Sequence, residues 1–222
     1  MRQPPGRGQR SSGERKPREE RWPELIEVAT EVFYEKGYEA ASLQGIASRL
    51  GILKGSLYYY IQSKEDLLFE VIKSVHEEGL ANIESLATGD GDALQRLRKV
   101  IVGHIDHECG NLKKTAVFLH ELQALAPDRQ AQILGGEHAY RGVFSNLVAT
   151  GQKEGLIPES LDPKLAALWI LGSMNWVYRW FRPGGEFTAR TIGEQFAEMT
   201  IRGLAVADLQ APGAVPGEQP AG

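Results

Sequence analysis

The densest run of chemically active side chains in this 222-residue chain is "HIDHECG", residues 104–110. On a helix, His104, His107 and Glu108 fall at i, i+3 and i+4, so two imidazoles and a carboxylate share one face. With His120 further along and Glu121 beside it, such a face could ligate a transition metal, to sense it or to activate water for hydrolysis. Neither HExxH nor CxxC spacing accompanies the set, and His and Glu are common on helix surfaces. No residue is assigned a catalytic role, no cofactor is expected, and the chain is not expected to be an enzyme. A metal-responsive protein and, behind it, a metal-dependent hydrolase are kept as alternatives.

A second group has no catalytic chemistry but a definite binding chemistry. "GILKGSLYYYIQSKEDLL", residues 51–68, carries Tyr58, Tyr59 and Tyr60 in succession. Neighbouring side chains on a helix fan around it, so one packed core takes only part of the set and the rest meet water or a partner. A tyrosine packs its ring against a sugar and bonds a phosphate through its hydroxyl without adding charge. From Ala40 to Lys64 there is no acidic residue, while Arg49, Lys54 and Lys64 are basic, in a chain whose net charge is −4. An acid-free surface in an acidic chain removes repulsion where phosphates would approach.

The elements that must position these residues read as helices throughout. Leu25, Val28, Ala29, Val32 and Phe33 form an apolar stripe, with Pro23 suited to the first turn and Gly37 to the end. Ser42 caps a short helix running to Leu50 and stopped by Gly51; a third starts near Leu53 and continues through the tyrosines. Ser63 and Asp66 make a capping box for a fourth. Tyr140 to Val148 repeats the helical stripe, Leu165 to Phe181 reads as one strongly apolar helix stopped by "RPGG", and Thr188 to Leu204 is the last. With no sustained alternating pattern, the chain is expected to be all-α, with about nine helices.

The short helix, glycine turn and second short helix between Ser42 and Ile61 have helix-turn-helix proportions, with Ala47 small where two helices cross and Ile46, Leu50, Ile52 and Leu57 as the buried wedge. At this point "SLQGIASRLGILKGSLYYYIQSKEDLL" resembles the DNA-binding signature of the TetR family of bacterial transcriptional regulators, over about residues 22 to 70. The resemblance implies Ser42 and Gln44 near DNA backbone and bases, and Lys54, Gly55, Ser56 and Tyr58 on a recognition helix in the major groove. It also implies Tyr59 and Tyr60 at sugar-phosphate or groove edges, and Lys64 holding a phosphate at the start of helix four. Ile61 stands where the family usually has Phe, which leaves the wedge apolar.

The resemblance further implies a homodimer formed by the last two helices and a small-molecule sensor in the C-terminal part. Trp169, Gly172, Ser173, Trp176 and Trp180 form one stripe, and Ile192, Phe196, Met199 and Gly203 another; aromatic residues beside small ones suit a close helix interface. "NWVYRWFRPGG" is similar to regulators of fatty-acid, acyl-CoA and steroid catabolism in actinobacteria. That implies an apolar effector against Phe118, Tyr140, Phe144 and Met174, with Lys113, Lys114, Arg141 and Arg179 available to the phosphates of a CoA thioester. The function implied is a repressor released from a palindromic operator by such an effector.

The remaining features bound the setting. Residues 1–20 have almost no large apolar side chains and are expected to be a disordered basic tail, either a solvated leader or an arm reaching DNA. Residues 21–66 are assigned to the DNA-binding domain, 67–206 to ligand binding and dimerisation, and 207–222 to a second flexible tail. One cysteine, Cys109, excludes an internal disulfide; no apolar run is long enough to cross a bilayer and no signal-peptide core occurs, so a cytoplasmic location is expected.

Overall fold

The computed structural model describes residues 18–205, and every regular element among them is helical. The expected tails, 1–20 and 207–222, lie outside the described residues except for residues 18–20, which open helix α1, Arg18–Ala40. Glu19 and Glu20 in that first turn favour the extension, since carboxylates complement the positive end of the helix dipole. At Gly37 the backbone leaves helical geometry with φ 74°, a value that L side chains rarely adopt.

Helix α2, Leu43–Arg49, begins where Ser42 Oγ accepts the Gly45 amide at 3.1 Å. Helix α3 is only Lys54–Leu57. The tyrosines expected to continue it lie instead in tightened turns, with Tyr59 N bonded to Ser56 O at 3.3 Å and Tyr60 N to Leu57 O at 2.8 Å. The cause is the next element. Asp66 Oδ2 accepts the amides of Gln62 (2.9 Å) and Ser63 (2.8 Å), which a longer α3 would have used. Ser63 Oγ accepts the Asp66 amide in return, completing the capping box of α4, Lys64–Ala87.

Helices α5 (Ala93–Gly110), α6 (Leu112–Glu121) and, after a 3-10 turn at Leu122–Ala124, α7 (Pro127–Lys153) complete the middle of the chain. The apolar run expected as one helix is divided into α8, Pro163–Met174, and α9, Val177–Trp180, before α10, Ala189–Leu204. Counted as one interrupted helix, α8 and α9 bring the described segments to the nine anticipated.

Two cores hold these helices. One packs Leu25, Phe33, Ile46, Leu57 and Ile61 against Leu67, Leu68, Val71 and Ile72 of α4. The other surrounds Ile101, Ile105, Phe144, Ile170 and Val177. Helix α4 serves both, and Val117, Leu125 and Ile133, from beyond residue 66, complete the first. A boundary at 66/67 therefore falls in the first turn of a continuous helix. In the second core, α10 lies so close to α5 that a Cβ added at Gly193 would meet the Val102 Cα at 3.1 Å. Cys109 is buried there, and burial beside Glu108 pushes its thiol up to about 12, so it stays protonated and packs as a small apolar side chain.

Candidate nucleic-acid interface and internal cavity

The surface formed by α2, α3 and the turn after it gathers the residues expected to meet a duplex. Gln44, Lys54, Gly55, Tyr58 and Tyr59 are exposed, Tyr59 by 71%. Ser42 is also exposed but its hydroxyl is engaged in the α2 cap. A Cβ added at Gly55 would meet nothing within 4 Å, so packing inside the chain does not require glycine there. Ser56 is half-buried. Tyr60 is half-buried too, packed on the first core with its ring edge-on to Tyr59 at 5.1 Å. The triplet is thus divided, with two rings outward and one holding the turn. Within the expected wedge, Ile46 and Leu57 are buried, as is Ala47 at the helix crossing, whereas Leu50 and Ile52 are only partly so.

Sequence reasoning missed Leu53, which is 80% exposed on this same surface. Its signal was its place immediately before Lys54, at the N-cap of α3, where an apolar side chain has no core to face.

The structure distributes the basic residues unevenly. Arg49 turns away to Glu35 at 2.7 Å. Lys64 Nζ donates to the carbonyls of Tyr38 (2.8 Å), Glu39 (3.3 Å) and Ala41 (3.1 Å) and lies 4.2 Å from the Tyr38 ring centre. All three ammonium protons therefore go to the end of α1, so the phosphate contact expected of Lys64 would cost it one of these bonds. Lys54 is left as the exposed cation of the face, without an ion pair among the described residues. The expected result for Lys64→Met is a loss of about 1–3 kcal/mol in unfolding free energy, read by thermal or denaturant melts. The salt dependence of any DNA binding should stay as it was; a shallower slope would restore the phosphate role.

A cavity of about 300 Å³ opens between α4, α5, α6, α7 and α8. Phe118, Tyr140 and Arg141 line it, as expected from sequence, together with His76, Thr115 and Glu137, which sequence reasoning did not single out. Burial pushes the Glu137 carboxyl above its usual range, against the pull of Arg141. The other expected ligand contacts lie elsewhere. Phe144 stacks behind Tyr140 with ring centres 6.3 Å apart, and Met174 is buried in the second core. Lys113 and Lys114 bridge to Glu31 (2.8 Å) and Glu27 (2.9 Å) on α1, and Arg179 covers the Trp176 ring at 5.1 Å.

The residues considered for a metal are divided as well. His104, His107 and Glu108 line the cavity, but His107 Nε2 bonds the Val75 carbonyl at 3.1 Å and His120 Nε2 bonds the Tyr178 hydroxyl at 3.0 Å. Among the described residues, no group of three or more His, Cys, Asp or Glu is placed to hold a metal ion.

The apolar stripe of α8 and α9 faces outward. Trp169, Ser173, Trp176 and Trp180 are exposed, with Leu165 beside them and Met199 and Gly203 on α10; Gly172 and Leu168 are exposed too but also line the cavity. Ile192 does not join this face: it is buried in its own subunit's core, and Phe196 is half-buried against that core. The amphipathic pattern of α10 could not distinguish the side facing α5 from the side facing outward.

The cavity and the α1–α3 unit are joined through α6. Thr115, Phe118 and Leu119 face the cavity, while Lys113 and Lys114 pair with α1, Val117 enters the first core and Glu121 accepts the Tyr38 amide at 3.1 Å. A second link is Arg129 of α7, which bonds Asp66 and approaches Glu65 (3.8 Å) at the start of α4. Burial alone would raise the Asp66 carboxyl, but the Arg129 bond and the two amides hold it below the ordinary range.

Comparison with known proteins follows the same division. The family described as "Bacterial regulatory proteins, tetR family" matches residues 25–71, and "Tetracyclin repressor-like, C-terminal domain" matches residues 90–204. The HTH-type transcriptional repressor KstR2 of Mycobacterium tuberculosis is 28% identical over 183 residues, covering 82% of this chain and 91% of that protein. The structure of the ketosteroid transcriptional regulator KstR2 of the same organism superposes with TM-score 0.77 at 27% identity, over 88% of this chain and 99% of that one. AibR, solved in complex with isovaleryl coenzyme A and operator DNA, superposes with TM-score 0.72 at 28% identity, over 83% and 97% of the two chains. Among the described residues, no helix is long and apolar enough to cross a membrane.

Proposed function

The chain belongs to the TetR family of bacterial transcriptional regulators, and we propose that it is a repressor that binds a palindromic operator as a homodimer and is released by a compact apolar effector. The observation that carries this reading is α6, with one face in the cavity and the other bonded to α1. A molecule that widens the cavity displaces the helix on which α1 rests, and with it the α2–α3 face.

In this reading Leu53, Lys54, Gly55, Ser56 and Tyr58 enter the major groove, with Ser42 and Gln44 at its border, Tyr59 along the sugar-phosphate edge and Tyr60 holding the turn behind it. Two such faces about 34 Å apart, one per subunit, match half-sites one helical turn apart. Release requires that the effector prefer the arrangement whose faces miss adjacent grooves; equal affinity for both would release nothing.

The effector is a metabolite of the acyl-CoA or steroid class. Two similarities support this: KstR2 is described as a ketosteroid regulator, and AibR was solved with isovaleryl coenzyme A. The cavity lies at the lower end of the usual range for ligand pockets, about 300–1,000 Å³. It suits a short acyl group or fused rings, and a nucleotide portion would have to lie outside. Arg141, on the cavity wall, is the cation best placed for an anionic group.

The test joins two measurements. Operator binding is followed by anisotropy with fragments from upstream of the gene, and acyl-CoAs, fatty acids and steroid fragments are screened by thermal shift. A ligand that raises the melting temperature and also dissociates the DNA identifies the effector; stabilising ligands that all leave the complex intact refute the release mechanism. Leu119→Trp, on the cavity wall, should weaken that effector by roughly tenfold or more through steric filling.

A further inference from the structure

The cavity contains a polar feature that an apolar effector alone does not explain. His104 and Glu108 lie one turn apart on α5, only 3% and 7% exposed, with His104 Nε2 3.3 Å from Glu108 Oε1. Yet neither His104 Nε2 nor Glu108 Oε2 has a hydrogen-bond partner among the described residues. The two groups approach without the alignment that an N–H bond needs.

Their protonation follows from the neighbours. The Tyr140 hydroxyl lies 2.7 Å from His104 Nδ1 and could give or take the proton of that bond. The other nitrogen decides: Nε2 faces the Glu108 carboxylate at 3.3 Å, where a lone pair would be repelled, so the imidazole proton lies on Nε2 and the Tyr140 hydroxyl donates to Nδ1. His104 and Glu108 both line the cavity, and an unpaired donor, His104 Nε2–H, lies in its wall beside an unpaired acceptor, Glu108 Oε2; His76 Nε2 is a third buried atom there without a partner among the described residues. Leaving such groups unpaired when buried is unfavourable, so a ligand that pairs them gains affinity.

We propose that this pair is a subsite for the hydroxyl of a compact, apolar alcohol. This deepens the reading of the cavity as the effector site and rests on it. A hydroxyl donates to Glu108 Oε2 and accepts from His104 Nε2, satisfying both atoms at once. A ketone or thioester carbonyl satisfies only the histidine. An amine satisfies only the glutamate, and a carboxylate brings like charge against it. The surrounding wall is shaped for rings: His76 packs its imidazole against Phe118 and Tyr140, at centre distances of 6.0 and 5.6 Å. Space for that imidazole depends on Gly136, where an added Cβ would fall 2.7 Å from His76 Cε1.

The experiment compares bicyclic probes of one skeleton by calorimetry on the full chain without DNA: 2-decalol, 2-decalone, decalin and decalin-2-carboxylic acid. The alcohol is expected to bind at least roughly tenfold more tightly than the ketone or the hydrocarbon, with the acid weakest. Glu108→Met should reduce the alcohol's advantage to about twofold while leaving decalin affinity nearly unchanged. Should that variant fail to fold, His104→Phe gives the same readout. Equal affinity for alcohol and hydrocarbon in the parent protein overturns the subsite, as does no measurable alcohol binding or an advantage that survives both substitutions. Operator release by 2-decalol is read separately by anisotropy. An alcohol that binds with the expected preference but leaves DNA bound upholds the subsite and refutes the effector reading.

Discussion

A protein carrying both Trp169→Glu and Trp176→Glu should be monomeric at about 10 μM by light scattering, and its operator affinity should fall by roughly a thousandfold or more. Both indoles are exposed, Trp176 by 60%, so their removal leaves the subunit's own core intact and its melting temperature close to that of the parent. Across a two-fold axis each substitution appears twice, placing four carboxylates in a patch that otherwise offers Leu165, Leu168, Trp180 and Met199 for burial. Loss of the dimer separates the two half-site contacts, so operator affinity falls towards that of a single module. A dimer that persists through both substitutions would move the interface off the α8–α9 face.

The second large effect is expected on the opposite end of the molecule. Replacing Tyr58 and Tyr59 together by alanine should weaken operator binding by roughly a hundredfold or more, because each contact, at about 1–3 kcal/mol, is lost in both half-sites. Tyrosine carries no charge, so the slope of log affinity against log salt should not change. Lys54→Ala should do the reverse: a smaller loss of affinity, with the slope reduced by about two for the dimer. Both outer tyrosine rings are exposed, and folding should be unaffected. Undiminished binding by the tyrosine double variant would leave α3 without its assigned role.

Much of the architecture was legible because its causes are local. The Ser42 cap, the glycine ends at Gly37 and Gly51 and the reciprocal Ser63–Asp66 box each depend on residues within four positions of one another. Helix type and order follow from such signals and from the apolar stripes. The same locality explains one error. Tyr58 to Tyr60 read as helix from their neighbours, but Asp66 takes the amides of Gln62 and Ser63 that would have extended α3.

The candidate sites divided differently. Phe118, Tyr140 and Arg141 reach the cavity as expected, whereas Phe144, one turn beyond Tyr140 on the same stripe, is buried behind it. Lys113, Lys114 and Arg179 were read as free cations, and the carboxylates or ring that engage them could not be paired with them from sequence. Glu31 and Glu27 are more than eighty positions from their lysines. The same holds for Lys64, whose acceptors are main-chain carbonyls that every sequence possesses.

The order of residues alone thus determined an all-helical regulator with an acid-free, tyrosine-bearing face, since caps, stripes and local charge act over a turn or two of helix. Tertiary structure decided which side chains remain available. It buried Ile192, committed Lys64 to the end of α1, exposed Leu53, and placed His104 beside Glu108 with one polar atom of each unpaired. The reason is physical: a side chain's chemistry is set by its residue type, but its availability depends on partners brought close by folding, and those partners lie outside the range of any local pattern.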